Sequence, residues 1–242
     1  MTTVVLSSGV EGVTILEIAQ QVAALISVEQ PSALFSSTDR TELELRSVAV
    51  EAMERILRAH DWERLKVLAE FSGDGTTDAF ALPEDFLRMP KDAEIWSTRW
   101  ERPLVAVSSE HWLRLDIRQY DNVVGTWTTF GGNINFRPAL SSDESAKFWY
   151  ISNKIVLAEN GASKATFTAD TDRFLLDDRL LKMCMIWVWR EQKQLEYSEE
   201  LRNYEIALGR EISDDKNARI ITQSKRNNVR TKVAYPWAIV PS

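Results

Sequence analysis

The sequence predicts an α+β fold: an antiparallel helical bundle with an inserted β region and an extended C-terminal arm. Three observations lead to this prediction. Apolar residues recur at helical spacing in residues 14–59 and again in residues 171–208. Short strand-like runs separated by Gly- and Pro-containing turns lie between them. The last 30 residues are mostly polar and basic. We therefore divide the chain into an N-terminal helical hairpin (1–68), a β-rich insertion (69–170), one long helix that completes the bundle (171–212) and the arm (213–242).

The first two helices are predicted from their caps and their apolar faces. Thr14 and Glu17 match a capping box, in which each side chain satisfies a free backbone N–H group of the first turn. Pro31 helps to end this helix, and a second helix starts between Ser37 and Thr41 and closes near Trp62. The predicted apolar faces are Ile15, Ile18, Ala19, Val22, Leu25 and Ile26 in the first helix, and Leu45, Val48, Ala49, Ala52, Ile56 and Ala59 in the second.

The insertion is predicted as short antiparallel strands with one short helix. KVLAEF and TDAFALP flank the turn 72–75, which predicts a β-hairpin. A second hairpin is predicted where TWTTF and INFRP flank Gly131 and Gly132. EIWSTRW, LVAVSS, KFWYIS and KIVLA are further strands. SSEHWLRLDIRQY is a short helix, capped by Ser108 or Ser109.

One long helix is predicted from Thr171 and Asp172, which we interpret as its caps, to Gly209, which ends it. Its apolar stripe is Leu181, Cys184, Met185, Val188 and Leu195, extended by Leu201, Tyr204 and Leu208. The segment 183–189, MCMIWVW, is apolar on every side, so we expect it to be the most enclosed part of the fold.

Composition and motif content favour a globular protein with no membrane span and no catalytic site. Apolar residues make up 44% of the chain, but the longest apolar run covers seven residues, whereas a membrane span needs about 20. Cys184 is the only cysteine, which excludes an internal disulfide and a cysteine zinc site. Nothing in the sequence places His60 or His111 beside Cys184 as a catalytic partner. Asp170, Asp172, Asp177 and Asp178 are interpreted as helix caps rather than metal ligands.

Charge is divided unevenly along the chain. The net charge is −7. Residues 213–242 hold six Lys or Arg and two Asp, so they carry +4 and residues 1–212 carry −11. An acidic body repels nucleic acid, while a basic arm seeks an acidic surface. The arm alone leaves two interpretations open, a nonspecific nucleic-acid contact and a contact with a protein groove.

Four stretches, in this order, resemble one known family. They are the entry hairpin (15–65), FALPEDFLRM (80–89), GGNINFRPAL with KFWYISNKIV (131–156), and the C-terminal helical segment 167–213. The chain resembles the head-to-tail adaptor, or connector, proteins of tailed phages and gene-transfer particles, whose best-known branch is the tail tubular protein A of short-tailed phages.

The resemblance implies a structural virion protein at the head–tail interface, assembled in the host cytoplasm. Such adaptors form a ring, usually of 12 copies, that joins the portal protein to the tail nozzle or stopper and extends the DNA channel. Tail fibres are a further candidate partner, and the genome passes through without specific binding. The acidic body agrees with this, because Lys and Arg contacts to phosphates dominate nonspecific DNA affinity. The alternative is a nucleic-acid-binding accessory protein that uses its basic tail.

The arm and the long helix carry the candidate contact residues. In the arm, cations would meet acidic groups on the portal or the next subunit and apolar residues would fill pockets there: Lys225, Arg226, Arg230, Lys232, Tyr235, Trp237 and Ile239. In the helix, four acids either line the channel, meet a neighbouring subunit or form a solvated face: Glu191, Glu196, Glu199 and Glu200. The five tryptophans of the insertion are either core residues or contacts for tail proteins.

Overall fold

The computed structural model describes residues 12–91, 93–118 and 125–215 and has an α+β fold. Its helices are α1 (Ile15–Leu25), α2 (Arg40–Ala59), α3 (Ser109–Arg118), α4 (Asp178–Gln192) and α5 (Ser198–Asp215). Its strands are β1 (Lys66–Ser72), β2 (Ala79–Ala81), β3 (Phe86–Arg88), β4 (Trp96–Ser97), β5 (Val105–Ala106), β6 (Thr126–Phe130), β7 (Asn133–Arg137), β8 (Ser145–Ser152), β9 (Val156–Leu157), β10 (Ser163–Lys164) and β11 (Arg173–Phe174).

The helical core is built around α4, which packs against α1, α2 and α5. The capping box at Thr14 and Glu17 is present and starts α1 as predicted. Leu180, Leu181, Cys184, Met185 and Val188 of α4 are completely buried. α1 and α2 supply the apolar faces that cover them. Leu25 and Ala59 were predicted on these faces but are exposed. A helix that is apolar on all sides is stable in water only when others surround it.

The single long helix predicted for 171–212 is two helices. α4 ends at Gln192, Gln194 has a positive φ of 56°, and α5 begins at Ser198. Leu195, predicted to be buried, is 50% exposed in this break, and Gly209, predicted to end the helix, lies inside α5. The break has a packing reason: α5 folds back on α4 and buries Tyr204 against Trp187, with ring centroids 5.9 Å apart.

The start of α4 also differs from the prediction. The helix begins at Asp178, and Asp177 is its N-cap, accepting hydrogen bonds from the backbone N–H groups of Arg179 and Leu180. Thr171 and Asp172 lie before it and do not cap it, because Arg173 and Phe174 form β11 in between. β11, β9 and β10 form a small sheet whose Val156 and Phe174 side chains belong to the helical core.

A sandwich of two four-stranded sheets holds the second core. In one sheet, β8 pairs with β1 on one side and with β3 and β4 on the other; the second has the order β2-β7-β6-β5. β5 runs parallel to β6, so the second sheet is mixed rather than antiparallel. The sheets enclose an apolar core that includes Ile95, Ile134, Phe136, Ala146 and Phe148.

One predicted hairpin is confirmed and the other is wrong. β6 and β7 pair antiparallel around Gly131 and Gly132, whose φ values of 60° and 78° suit a tight turn. β1 and β2 do not pair with each other: β1 pairs with β8 and β2 pairs with β7. The glycines between them dock on another loop, with the Gly73 N–H donating to the Glu144 carbonyl at 2.8 Å and the Gly75 N–H to the Leu140 carbonyl at 2.9 Å.

Candidate assembly surfaces

The segment FALPEDFLRM connects the two cores, and Asp85 makes the first half of this joint. Its carboxylate accepts hydrogen bonds from the Tyr150 hydroxyl at 2.8 Å and the Ser152 hydroxyl at 2.7 Å, both on β8. Burial opposes ionisation of Asp85, but these two hydrogen bonds hold its pKa below the ordinary value. Burial, then the hydrogen bond to Asp85, raises the pKa of Tyr150 to about 12, so the phenol stays a donor.

Arg88 makes the second half of the joint, on the helical side. Its guanidinium lies 2.8 Å from Asp61 and donates to the carbonyl oxygens of Leu57 and His60 at 3.2 Å and 2.7 Å. These carbonyls lie at the C-terminal end of α2, where a helix leaves backbone acceptors unpaired. A cation there also interacts favourably with the helix dipole. Asp85 and Arg88 together fix the helical core against the sandwich.

Two half-exposed tryptophans lie on the outer face of the β1–β8 sheet. Trp149 follows Phe148 on β8 and so points away from the sandwich core, opposite Leu68 of β1. Trp96 of β4 lies opposite Lys147 of β8. Trp96 is 48% exposed and Trp149 is 49% exposed. Large apolar side chains grouped on a surface mark a contact site.

The two tryptophans line a groove of about 670 Å³ between this sheet face and the end of α2. Arg58 and Lys91 contribute cations to the groove, and Trp96 donates its indole N–H to Glu94 at 3.1 Å. The insertion's other tryptophans are less exposed: Trp100 and Trp127 pack against the sandwich core. Sequence reasoning did not single out the groove, because the strand pairing that brings β4 beside β8 has no local signal.

The four predicted acids of the long helix lie around the α4–α5 break. Glu191 is 3.7 Å from Arg55 of α2, and Glu200 is 2.9 Å from Arg190. Glu196 accepts hydrogen bonds from the Ser198 hydroxyl and backbone N–H, and these lower its pKa. Glu199 is exposed and has no ion-pair partner among residues 12–91, 93–118 and 125–215. The structure thus gives Glu191 and Glu200 an ion-pair partner within the chain and Glu196 a hydrogen-bond partner.

A charge network joins the same region to α2. Lys193 lies 2.6 Å from Glu44, which also pairs with Arg40 at 2.9 Å. These two cations hold the pKa of Glu44 below its ordinary value. The Arg55 guanidinium lies 4.8 Å from the centre of the Trp187 ring, a cation–π distance. Mixed charges therefore cross α2, α4 and the break on one face of the molecule.

The predicted arm residues, Lys225 to Ile239, lie outside the described residues. The described chain ends at Asp215, whose carboxylate accepts a hydrogen bond from the Glu63 backbone N–H at 2.9 Å. The same carboxylate lies 3.2 Å from Nε2 of His60. The end of α5 is therefore held at the C-terminal end of α2, just before β1 starts.

The acids considered as metal ligands in the sequence serve separate hydrogen-bond networks. Asp170 accepts from the backbone N–H groups of Leu34 and Phe35, both at 2.9 Å. Asp172 is buried and pairs with Lys164 at 2.6 Å. Asp178 accepts from the Val13 backbone N–H at 3.1 Å. Within the part of the chain that the structure describes, no group of acids, histidines or cysteines could hold a metal ion. No described helix has the length and hydropathy of a membrane span.

The pattern of two cores, a joint motif and an arm at the end of α5 extends over nearly the whole chain. A family model for the SU10 adaptor protein matches residues 13–231, which include both cores and the first part of the arm. The chain belongs to the SU10 adaptor protein family. This is a family of phage head-to-tail adaptors, so the predicted resemblance is confirmed. No curated protein was found to match the chain.

Family membership determines the class of function. An SU10 adaptor is a structural virion component that interacts with other virion proteins, such as portal and tail proteins. This supports a head–tail adaptor role and favours assembly over catalysis. It does not support the alternative of a nucleic-acid-binding accessory protein. The tryptophan groove and the charged face are therefore candidates for the contacts of such a subunit.

Proposed function

We propose that this SU10 adaptor forms a homo-oligomeric ring of 12 copies that joins the portal protein to the tail nozzle or stopper. The ring extends the DNA channel and lets the genome pass without specific binding. It works through assembly, with no cofactor and no chemical step. The family match over residues 13–231 is the observation that carries this proposal.

A ring subunit has to transmit contacts between its neighbours without deforming, and the joint supports that role. The helical core and the sandwich each have their own apolar interior. Asp85 and Arg88 attach them through hydrogen bonds to β8 and to the end of α2. Two rigid parts with a fixed relation give each subunit one defined shape, as repeated contacts in a closed ring require.

The arm is the proposed contact with the portal or with a neighbouring subunit. Its cations Lys225, Arg226, Arg230 and Lys232 would meet acidic groups, and Tyr235, Trp237 and Ile239 would fill apolar pockets. The body of the chain carries −11, so the arm is attracted to a second copy as well as to a different acidic partner. Ordering of the arm would accompany assembly, with burial offsetting the lost entropy.

The acids around the α4–α5 break are the proposed channel or intersubunit face. Among the residues that the structure describes, Glu199 has no ion-pair partner, while Glu191 and Glu200 form ion pairs within the chain. In a channel, acids keep DNA mobile because they make no phosphate contacts. In an intersubunit face, the mixed charges of Arg190, Lys193 and the glutamates would form a lattice with the next copy.

Deletion of residues 224–242 tests the proposed role of the arm. Both described cores end before residue 216, so we expect the truncated protein to fold with an unchanged far-ultraviolet circular dichroism spectrum. We expect it to lose attachment to portal-bearing heads, measured by co-sedimentation with purified heads.

The matched control keeps the length of the arm and replaces residues 224–242 with a Gly/Ser segment of equal length. This control should fail to attach as well, because the contact depends on the side chains rather than on chain length. Normal attachment of either variant would contradict the proposal for the arm. Negative-stain images of the full-length protein with purified portal test the ring itself and its copy number.

A further inference from the structure

β1 has an edge that no other described strand covers. On one side, its residues Lys66–Ser72 pair with β8 over seven consecutive positions. On the other side, it has no strand partner in residues 12–91, 93–118 and 125–215. Val67 and Leu68 are 38% and 46% exposed. An exposed edge of this length presents free backbone N–H and C=O groups and is a template for an added strand.

The two faces of β1 require different side chains from such a strand. Val67, Ala69 and Phe71 alternate toward the sandwich core, where Ala69 and Phe71 lie opposite Phe148 and Ala146. Leu68 and Glu70 alternate toward the outer face, where Glu70 pairs with Lys147 at 3.0 Å. A strand that extends this sheet needs apolar residues at every second position and favours cations at the positions between them.

Residues 229–235 of the arm have this alternation. Val229, Thr231, Val233 and Tyr235 occupy every second position, and Arg230 and Lys232 lie between them. Pro236 follows and would end the pairing, because it has no backbone N–H to donate. These residues lie outside the described part of the chain, and their sequence alone carries the pattern.

The last described residue lies near β1 of its own copy. The Asp215 carboxylate accepts a hydrogen bond from the backbone N–H of Glu63. The last described residue therefore lies beside Glu63, which is three residues before the start of β1. Residues 216–228 connect Asp215 to Val229. Fully extended, such a linker spans roughly 45 Å. A linker of this length allows residues 229–235 to lie on another copy rather than beside Asp215.

We propose that residues 229–235 of one copy add a strand to the free edge of β1 in the neighbouring copy. This inference rests on the ring proposed above. Each copy gives its arm to the next copy and receives one, which is a head-to-tail contact that can close into a ring. The apolar set continues the inner face beside Val67 and Phe71, and Arg230 and Lys232 lie on the outer face near Glu70. Trp237 and Ile239, beyond Pro236, remain available for the portal.

Disulfide scanning tests the proposed strand. Glu70→Cys is combined with a cysteine placed in turn at each of positions 229–235, and the variants are oxidised after assembly on purified portal. Cys184 is completely buried and should not compete. We expect severalfold more cross-linking at positions 230, 232 and 234 than at positions 229, 231, 233 and 235, because strand side chains alternate between faces. The cross-linked species should be multimers on a non-reducing gel.

Each other outcome overturns the inference. Cross-linked monomers would show that the arm pairs with its own β1. Equal cross-linking at odd and even positions would show a contact without strand geometry. No cross-linking in rings that form normally would assign the edge to another segment or partner. These failures differ from failure of the proposed function, in which no ring forms on the portal in the unsubstituted protein.

Discussion

Asp85 and Arg88 lie three positions apart and hold different parts of the molecule. Asp85 accepts from two hydroxyls of β8, and Arg88 donates to Asp61 and to the end of α2. Phe86, between them, packs on Tyr150 with ring centroids 5.7 Å apart. The sequence pattern around LPEDF is therefore explained by the contacts of its side chains rather than by a chemical role.

Replacing Asp85 with alanine should lower the free energy of unfolding by about 1–3 kcal/mol, because the hydroxyls of Tyr150 and Ser152 lose their acceptor. Urea denaturation would measure this loss. Glu84→Ala is the matched control, since Glu84 is exposed, and it should change stability by less than about 0.5 kcal/mol. An equal loss in both variants would show that the acceptor of these hydroxyls is unimportant.

The same variant has an expected dependence on pH. The pKa of Asp85 is lowered in the fold, so its charge stabilises the protein fully above the unfolded pKa of about 3.9. That contribution is lost as the pH falls through the folded pKa. The difference between the wild type and Asp85→Ala should therefore be constant from neutral pH to about pH 5 and shrink in more acidic solution.

At the scale of elements, Gly73 and Gly209 differ in the space available for a side chain. A Cβ atom at Gly73 would lie 2.2 Å from the Ser141 carbonyl oxygen and 2.5 Å from that of Leu140. Gly73 is therefore needed where the loop after β1 docks on the 140–144 loop. Gly209 lies inside α5 and is exposed, and apart from the adjoining helix backbone nothing lies within 4 Å of a Cβ atom placed there.

Gly73→Ala and Gly209→Ala should shift stability in opposite directions. The first variant forces two backbone segments apart, and we expect a loss of about 1–3 kcal/mol, as for other overpacked sites. The second removes backbone freedom from the unfolded chain and suits a helix, so we expect a gain of about 0.5–1 kcal/mol. Thermal unfolding of both variants measures the two shifts. A stable Gly73→Ala protein would contradict the close docking of the two loops.

The sequence correctly predicted elements that depend on a few adjacent residues, such as helix caps and tight turns. Thr14 and Glu17 start α1, Gly131 and Gly132 turn β6 into β7, and Ser108 accepts from the His111 backbone N–H at the start of α3. The pairing of β1 with β8 was not predictable, since it joins residues about 80 positions apart that have no shared signal. The glycines after β1 suggested a hairpin turn, but they serve a loop contact instead.

The helix break and the groove were missed for similar physical reasons. The apolar stripe continues through Leu195 in the sequence, and only the packing of Tyr204 on Trp187 shows why the chain turns back there. Trp96 and Trp149 are distant in sequence, and strand pairing brings them to one sheet face. The four acids of the charged face were identified as exposed acids of the predicted long helix, but their pairing with Arg55 and Arg190 was not predicted.

At the scale of the whole molecule, charge separates the body from the arm. The body carries −11 and the arm +4, and the last described residue, Asp215, lies beside Glu63 just before β1. An acidic body lowers the affinity for DNA, which suits a channel subunit, while the basic arm is attracted to acidic protein surfaces. The family match supports the adaptor role of this arrangement.

If the arm docks through charge, attachment to the portal should weaken as salt rises. The Debye length falls from about 10 Å at 0.1 M to about 3 Å at 1 M salt, so attraction between exposed charges is screened. We expect the apparent Kd for purified portal, measured by biolayer interferometry, to increase steeply with NaCl, mainly through a slower association rate.

Replacing Lys225, Arg226, Arg230 and Lys232 with Gln should remove most of this salt dependence. Arg202→Gln with Arg210→Gln, on exposed positions of α5, is the control and should keep it. An affinity that does not change with salt would leave the arm's apolar residues as the source of docking.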